Sequence, residues 1–289
     1  MTHAPGDPAD RGKAEEFLDN MAATLARGIV ELPAFPQVVI KVQEVLKNPN
    51  YTARMFAQPI SADPLLASRL LNMANSAAFN ATGRVIIDLG IALTRLGAQK
   101  VYSVVLAHAM QDIRRTESLR KIAGPLDELW SESVTVAHFC DAVAKRTSLH
   151  IQDAFVVGLL HLMGRFYILA RCAEQDPSKE RIALSSDLVD KWHPTIGGAV
   201  LRNWQMSEAV CEAVAAQGDS SATHAGPPML ADVLVAGVRL ARRLRNPHET
   251  ASLSLGGVLA RLNLSIEACG SLVAEAETEV RALNRALRP

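Results

Sequence analysis

The sequence predicts an all-α protein. Apolar residues recur every three or four positions in successive segments, turn-forming residues separate those segments, and no stretch alternates apolar with polar residues. Hydrophobic residues make up 49 % of the 289 residues, and aromatic residues only 4 %, so we expect helices packed through Leu, Val and Ala. We expect a disordered N-terminus over residues 1–13, a helical sub-bundle over 14–115 and a second over 116–289.

In the N-terminal half, apolar positions with helical spacing begin after Glu15. The prolines of LPAFP (32–36) end that pattern, because each proline disfavours the helical conformation in the residue before it. A second helix follows and ends at NPN (48–50). Thr52 is a candidate cap of a short third helix, and Pro59 should end or bend that helix.

Two aspartates then predict sharp helix starts. Asp63 is followed by Pro64, and proline at the first helical position loses no hydrogen bond that the helix needs. Asp88 is expected to cap the next helix, which Gly97 ends. A further helix should run through His108.

In the C-terminal half, Gly124-Pro125 is expected to open a long helix. Residues from about 151 to 171 are nearly all apolar, which predicts one helix at the centre of a domain. Pro194 is expected to start the next. Further helices are expected from Ser207, over 229–245 and 252–262, and from Ser265.

Charge and cysteine content exclude several classes. There are 30 Lys plus Arg and 30 Asp plus Glu, whereas general nucleic-acid binders need a basic excess to neutralise phosphates. The four cysteines form no CxxC pair, so they are expected to be buried thiols in a reducing cytoplasm. No run of about 18 uncharged apolar residues is present, so we expect a cytoplasmic protein without a membrane span.

Three stretches resemble the HDOD domain of bacterial signalling proteins: LPAFPQVVIKVQEVLKNPN, ISADPLLASRLLNMANSAAF and IIDLGIALTRLGAQKVYSVVLA. The resemblance continues through GLLHLMGRFYI, HPTIGGAVLRNW and SEAVCEAVAA, and covers roughly residues 20–245. It implies an HDOD-like fold with an N-terminal helical sub-bundle and a degenerate helical core related to the HD phosphohydrolases.

The resemblance also implies where a metal site would lie. HD phosphohydrolases hold divalent ions with His and Asp ligands, and these ions activate water. Their first His falls at Glu132, their His-Asp pair at His161-Leu162 and their next His at His193. The later His-His pair falls near 217–218 and the last Asp about at Gly237. Because Leu162 cannot coordinate a metal, we expect no catalytic metal, no cofactor and no phosphohydrolase activity.

The two remaining histidines allow two interpretations. His161 and His193 are either hydrogen-bonded core residues or the remnant of a ligand pocket. Arg165 lies four residues after His161, on the same helical face. Its guanidinium could hold an anionic ligand beside an imidazole.

A second candidate surface lies in the N-terminal half, where polar residues near a helix end could form caps or bind a partner. Its residues are Arg69, Asn72, Asn75 and Ser76. The basic run Arg239–Arg245 is either a solvated helix end or a patch for nucleic acid or an acidic partner.

The resemblance suggests a non-enzymatic bacterial regulatory module. It would bind signalling proteins of cyclic di-GMP or two-component pathways, or a nucleotide ligand. One alternative is a residual HD-type metal-dependent phosphohydrolase, against which the missing Asp beside His161 argues. The other is a nucleic-acid-associated regulator using Arg239–Arg245, against which the zero net charge argues.

Overall fold

The computed structural model describes residues 8–28, 36–76, 79–80, 83–147, 153–175, 187–217, 226–246 and 256–287. All regular structure in these ranges is helical, so the predicted all-α class is confirmed. The helices are α1 (Pro8–Ala26), α2 (Gln37–Lys47), α3 (Ala53–Ile60), α4 (Pro64–Asn75), α5 (Leu89–Leu96), α6 (Ala98–Arg114), a 3-10 helix (Glu117–Ile122), α7 (Ala123–Arg146), α8 (Ala154–Leu160), α9 (Met163–Gln175), α10 (Asp187–Asn203), α11 (Glu208–Ala216), α12 (Leu230–Arg245), α13 (Gly256–Arg261) and α14 (Ile266–Leu287).

The chain divides into two compact units. One comprises Met1–Leu32 and Thr116–Val280; in it α7 packs on α8 and α12, and α10 packs on α1, α9 and α11. The other comprises Pro33–Arg115 and Arg281–Pro289; in it α2 packs on α3 and α6, and α5 packs on α3, α4 and α6. The predicted division into one helical sub-bundle over 14–115 and another over 116–289 stays a prediction.

The two aspartate caps are confirmed. The Asp63 carboxylate accepts hydrogen bonds from the backbone N–H groups of Leu65 and Leu66 at the start of α4. The Asp88 carboxylate accepts one from Ile91 at the start of α5. Such bonds satisfy donors that a helix start leaves without partners, so these boundaries follow from local sequence.

Several boundaries differ from the expectation. Helix α1 begins at Pro8, inside the segment expected to be disordered, and residues 1–7 lie outside the described residues. Pro59 lies inside α3, and Pro194 lies inside α10 rather than at its start. An internal proline costs about 3 kcal/mol, and α10, which contains Pro194, packs against three helices.

The single helix expected near 151–171 is two helices, α8 and α9, separated at His161 and Leu162. By length and composition alone, the segment Ala154–Ala173 is long and apolar enough to cross a membrane. However, 89 % of its apolar 18-residue stretch is buried inside the protein. Burial in the protein's own core accounts for its apolar character. The four cysteines are free and buried, as predicted.

Candidate functional site

His161 lies at the break between α8 and α9, with 2 % of its surface exposed. Its Nδ1 is 2.7 Å from the carbonyl oxygen of Gly158. Because a carbonyl only accepts, Nδ1 carries the proton and Nε2 carries the lone pair. The amide of Gln217 donates to the carbonyl of His161 at 2.7 Å. These bonds satisfy carbonyls that the break leaves without partners inside a helix.

His193 lies in α10 and is 7 % exposed. The helix α9 approaches it very closely at Gly164, where an added Cβ would lie 1.8 Å from the carbonyl oxygen of His193. Only glycine permits that distance, so Gly164 determines how α9 packs on α10. The Nδ1 of His193 is buried without a hydrogen-bond partner among the described residues.

Both imidazoles are held neutral. Burial lowers the pKa of His161 to about 4; the nearby charges of Arg165 and Arg245 also lower it, against the opposing effects of Gly158 and Glu132. Burial lowers the pKa of His193 to about 3, helped by Arg165 and His161. A buried imidazole disfavours its charged form, so both rings are uncharged at neutral pH.

Glu132, on α7, is the residue at which the resemblance places the first histidine of the HD enzymes. Its Oε1 lies 2.7 Å from Nη2 of Arg245, on α12. Burial raises the pKa of Glu132, but the hydrogen bond and charge of Arg245 and the charges of His161 and Arg165 bring it below its usual value. The carboxylate is therefore ionised and already bound to a guanidinium.

Arg165, on α9, donates to the carboxylate of Asp190 on α10. It also lines a cavity of about 520 Å³ between α7, α9 and α12. Volumes of roughly 300–1,000 Å³ accommodate small ligands. The lining residues are Pro125, Glu128, Leu129, Ser131, Glu132, Thr135, Arg165, Leu169, Leu244 and Arg245; the two imidazoles are not among them.

Two of the positions where the resemblance places metal-binding aspartates carry no carboxylate. Leu162 is apolar and buried, with 7 % of its surface exposed. At Gly237 an added Cβ would lie 2.5 Å from Sγ of Cys140, so an aspartate there has no room. The nearest acidic residue on α12, Asp232, pairs with Arg261 at 2.6 Å and caps the helix through Met229 N–H. Neither Leu162 nor Gly237 therefore offers a carboxylate to a metal ion.

In the other unit, Asn75 and Ser76 hold the chain after α4. The Asn75 amide donates to the carbonyls of Leu71 and Ile86 at 2.9 and 2.8 Å, and its oxygen accepts from the N–H of Ile86 at 2.8 Å. The Ser76 hydroxyl donates to the carbonyl of Met73 at 2.7 Å. These contacts are structural, and any partner-binding role of the two residues remains a prediction.

Arg69 and Asn72 lie on α4. The Arg69 guanidinium donates to Oε1 of Gln111 on α6 at 2.8 Å. Asn72 is exposed. Arg69, Asn72, Asn75 and Ser76 belong to one compact unit, whereas His161, Arg165 and His193 belong to the other.

The sequence reasoning missed a cluster formed by Asp63, His108 and Asp112. The Nε2 of His108 lies 2.8 Å from Asp63 Oδ2 and 3.4 Å from Asp112 Oδ2, and their ligand-type atoms lie within 4.8 Å of one another. His108 and Asp112 are four residues apart on α6, a spacing that could have indicated the pair. The imidazole is already hydrogen-bonded to Asp63, and binding a metal through Nε2 would break that bond.

The basic run on α12 is partly neutralised. Arg242 and Arg245 are exposed, whereas Arg239 and Arg243 are partly buried. Arg245 pairs with Glu132, and Arg243 also has an interaction partner. The run therefore presents less free positive charge than its sequence suggests.

The family model of the HDOD domain matches residues 32–220. The chain belongs to the HDOD family. A protein of Treponema pallidum with no characterised function is 27 % identical to this HDOD protein over an alignment of 209 residues, and the match covers 67 % of this chain. The matched part is 39 % of the Treponema protein, so the chain spans about two fifths of its relative.

Two crystal structures share the fold of this HDOD protein. A Shewanella amazonensis protein, provisionally named a metal-dependent phosphohydrolase, matches with a TM-score of 0.69 and 21 % identity, over 96 % of this chain and all of its own. A Marinobacter aquaeolei protein, provisionally named a signal transduction protein, matches with a TM-score of 0.67 and 20 % identity, over 95 % of this chain and 65 % of its own. At these identities the likeness shows the fold.

Proposed function

We propose that this HDOD protein is a non-enzymatic regulatory module of bacterial signal transduction, acting in the cytoplasm by binding other signalling proteins. One observation supports this most strongly: the resemblance places the last metal-binding aspartate of the HD enzymes about at Gly237, where an added Cβ would lie 2.5 Å from Sγ of Cys140, so a side chain there would require a shift. Leu162 removes another carboxylate. A divalent ion that activates water needs several converging ligands and an open position.

Two of the three remaining polar residues, His161 and Glu132, are engaged in contacts within the protein, whereas the Nδ1 of His193 has no hydrogen-bond partner among the described residues. His161 donates to a backbone carbonyl, and Glu132 binds Arg245. These contacts support a stabilising role for positions that bind metal in the related enzymes.

The partners that we propose are proteins of cyclic di-GMP or two-component pathways. The Marinobacter protein of the same fold, provisionally named a signal transduction protein, supports that setting. The cavity beside Arg165 offers a place for a nucleotide ligand that would modulate partner binding. Two guanidiniums, two hydroxyl side chains and two carboxylates line it. Guanidiniums and hydroxyls hydrogen-bond phosphates, and a phosphate here would compete with Asp190 for Arg165 and with Glu132 for Arg245.

Hydrolysis assays test the non-enzymatic proposal. The purified chain would be incubated with p-nitrophenyl phosphate, bis-p-nitrophenyl phosphate and cyclic di-GMP, with Mn²⁺, Mg²⁺, Fe²⁺ or Zn²⁺ added in turn. We expect the same background turnover from the native chain and from the double variant His161→Ala/His193→Ala. Turnover that the double variant abolishes would establish the phosphohydrolase alternative instead.

Calorimetric titration with cyclic di-GMP tests the nucleotide site. We expect binding that Arg165→Ala abolishes. The matched control is Arg202→Ala, because Arg202 forms a similar exposed pair with Glu208 away from the cavity lining. Loss of binding in both variants, or no binding by the native chain, would refute this ligand.

A further inference from the structure

Residues 84–88 precede α5, lie outside any helix and present two large apolar side chains to solvent. Val85 is 79 % exposed and Ile87 is 86 % exposed, while Ile86 between them is only 8 % exposed. Side chains of an extended chain point alternately to opposite faces. The segment therefore has the side-chain alternation of a β-strand, although the structure pairs it with no other strand among the described residues.

One edge of this segment is already occupied by a side chain. Asn75 bonds both the N–H and the carbonyl of Ile86 at 2.8 Å, as a neighbouring strand would. In an extended chain the backbone groups of the flanking residues point to the opposite edge. The backbone N–H and carbonyl groups of Val85 and Ile87 have no hydrogen bond within the described residues. The segment thus has one satisfied edge and one open edge.

The open edge is complementary to itself. The segment reads Arg84, Val85, Ile86, Ile87, Asp88. A two-fold axis through Ile86, with the second copy antiparallel, brings Val85 opposite Ile87 of the second copy. It also brings Arg84 opposite Asp88 of the second copy. Each of these two residue pairings occurs twice in the dimer, as an isologous contact requires.

We propose that a second copy of this chain docks on residues 84–88 by antiparallel strand pairing about Ile86. The backbone N–H groups of Val85 and Ile87 donate to the carbonyls of Ile87 and Val85 of the second copy, which satisfies the open edge. Ile86 forms the non-hydrogen-bonded position between these bonds, as the alternation of an antiparallel ladder requires.

The charges of Arg84 and Asp88 favour a second copy of this chain, rather than an unrelated peptide, as the partner of the open edge. Arg84 is exposed, and the opposite position carries a carboxylate in each half of the contact. The Oδ1 of Asp88 accepts from Ile91 as the cap of α5, which leaves Oδ2 for the guanidinium. The parallel arrangement would lose both of these pairings, so charge also selects the direction.

The contact is small. Stable interfaces bury about 800 Å² per partner, more than a five-residue strand pair provides. The dimer is therefore expected to dissociate on dilution. Sedimentation velocity over a wide concentration range should show a mass that rises from 31.1 kDa towards twice that value.

Ile87→Pro tests the backbone bonds. Proline has no N–H and is tolerated in extended chain, so the variant removes one donor from each copy while the bond between Asn75 and Ile86 remains. We expect dimerisation to weaken by at least roughly tenfold. Ile87→Lys should weaken it as well, whereas Ile266→Lys, on an isoleucine that is 62 % exposed in the other unit, should not.

A rescue variant tests the pairing register. Val85→Glu and Ile87→Lys should each weaken the dimer. The double variant Val85→Glu/Ile87→Lys places the introduced carboxylate of one copy opposite the introduced ammonium group of the other, twice, and should recover dimerisation. Amide hydrogen exchange adds a readout in the native chain: exchange at Val85 and Ile87 should slow as concentration rises, while Ile86, already bonded to Asn75, should not change.

A native chain that stays at 31.1 kDa at every concentration would refute the proposal. Dimerisation that Ile87→Pro leaves unchanged would also refute it, because the copies would then meet through another surface. Failure of the double variant to recover would contradict the antiparallel register. None of these results bears on the proposed lack of hydrolysis, which rests on the other unit.

Discussion

Two buried histidines, one in each compact unit, have opposite surroundings. His108, on α6, is bonded to one carboxylate and lies near a second. The family resemblance places the His-Asp pair of the HD enzymes at His161-Leu162, yet Leu162 is apolar and the Nδ1 of His161 is bonded to a backbone carbonyl. At His108, where the family resemblance predicts no such pair, the imidazole therefore lies beside carboxylates. At His161, where the resemblance predicts a pair, no carboxylate of the described residues is bonded to the imidazole.

The two surroundings also act on charge in different ways. Burial, with no carboxylate bonded to the ring, favours the neutral form of His161 and lowers its pKa to about 4. At the other site burial raises the pKa of Asp63, but the N–H groups of Leu66 and Leu65 and the His108 ring bring it below its usual value. The two sites should therefore lose stabilising interactions in different pH ranges.

We expect the largest loss of stability from a substitution that disturbs the packing around His193, not from one that changes a titrating group. Gly164→Ala places a methyl group against the carbonyl of His193. Such overpacking costs about 3 kcal/mol and occasionally more, so urea unfolding should show a loss of that size. Gly124→Ala is the matched control, because nothing lies within 4 Å of an added Cβ there. Equal stability of the two variants would contradict the close contact of α9 and α10.

The stability of the native chain should fall as pH decreases from about 6.5 towards 4. The folded-state pKa of His161 is below its unfolded value, so in this window the unfolded chain binds a proton that the folded chain does not. Each such histidine contributes a slope of about 1.4 kcal/mol per pH unit. His161→Asn should reduce the slope measured by urea unfolding at several pH values. An unchanged slope would show that the ring is not kept neutral.

The Asp63 site should respond at lower pH. Because its pKa is depressed in the folded state, the stability that the carboxylate adds is complete above its unfolded pKa of about 3.9 and is lost as pH falls through the lower folded value. Its contribution is therefore intact over the window in which His161 acts.

Substitution of the two helix caps separates the cap from the imidazole contact. Asp63→Ala removes two backbone hydrogen bonds and the partner of His108, and should cost about 2 kcal/mol. Asp88→Ala removes a cap without an imidazole, and should cost about 1 kcal/mol. Thermal or urea unfolding of both variants measures the difference. Equal costs would mean that the bond to His108 adds nothing.

Local signals predicted the parts of the fold that depend on neighbours in sequence. Asp63 and Asp88 cap helices that begin one residue later, and Gly97 follows the last residue of α5. The break at His161 was not predictable, because the bond from Gln217 joins residues 56 positions apart. The cluster at His108 was missed for the same reason, since Asp63 is 45 positions away.

The sequence predicted which residues belong to the candidate site better than it predicted how those residues are arranged. The positions of Glu132, His161 and His193 came from the family resemblance. The bond between Glu132 and Arg245 joins α7 to α12, and only tertiary packing reveals it. Likewise, the lack of room at Gly237 depends on Cys140 of a neighbouring helix, and no sequence pattern states which side chain will lie there.

Metal content most directly tests the claim that the HD-type site no longer binds a metal. The native chain, His161→Ala/His193→Ala and His108→Ala would each be loaded with Mn²⁺, Fe²⁺ or Zn²⁺, dialysed, and analysed by inductively coupled plasma mass spectrometry. We expect far less than one ion per chain at the His161 position, and therefore the same metal content in the native chain and the double variant. One or two ions per chain that the double variant loses and His108→Ala retains would contradict the account.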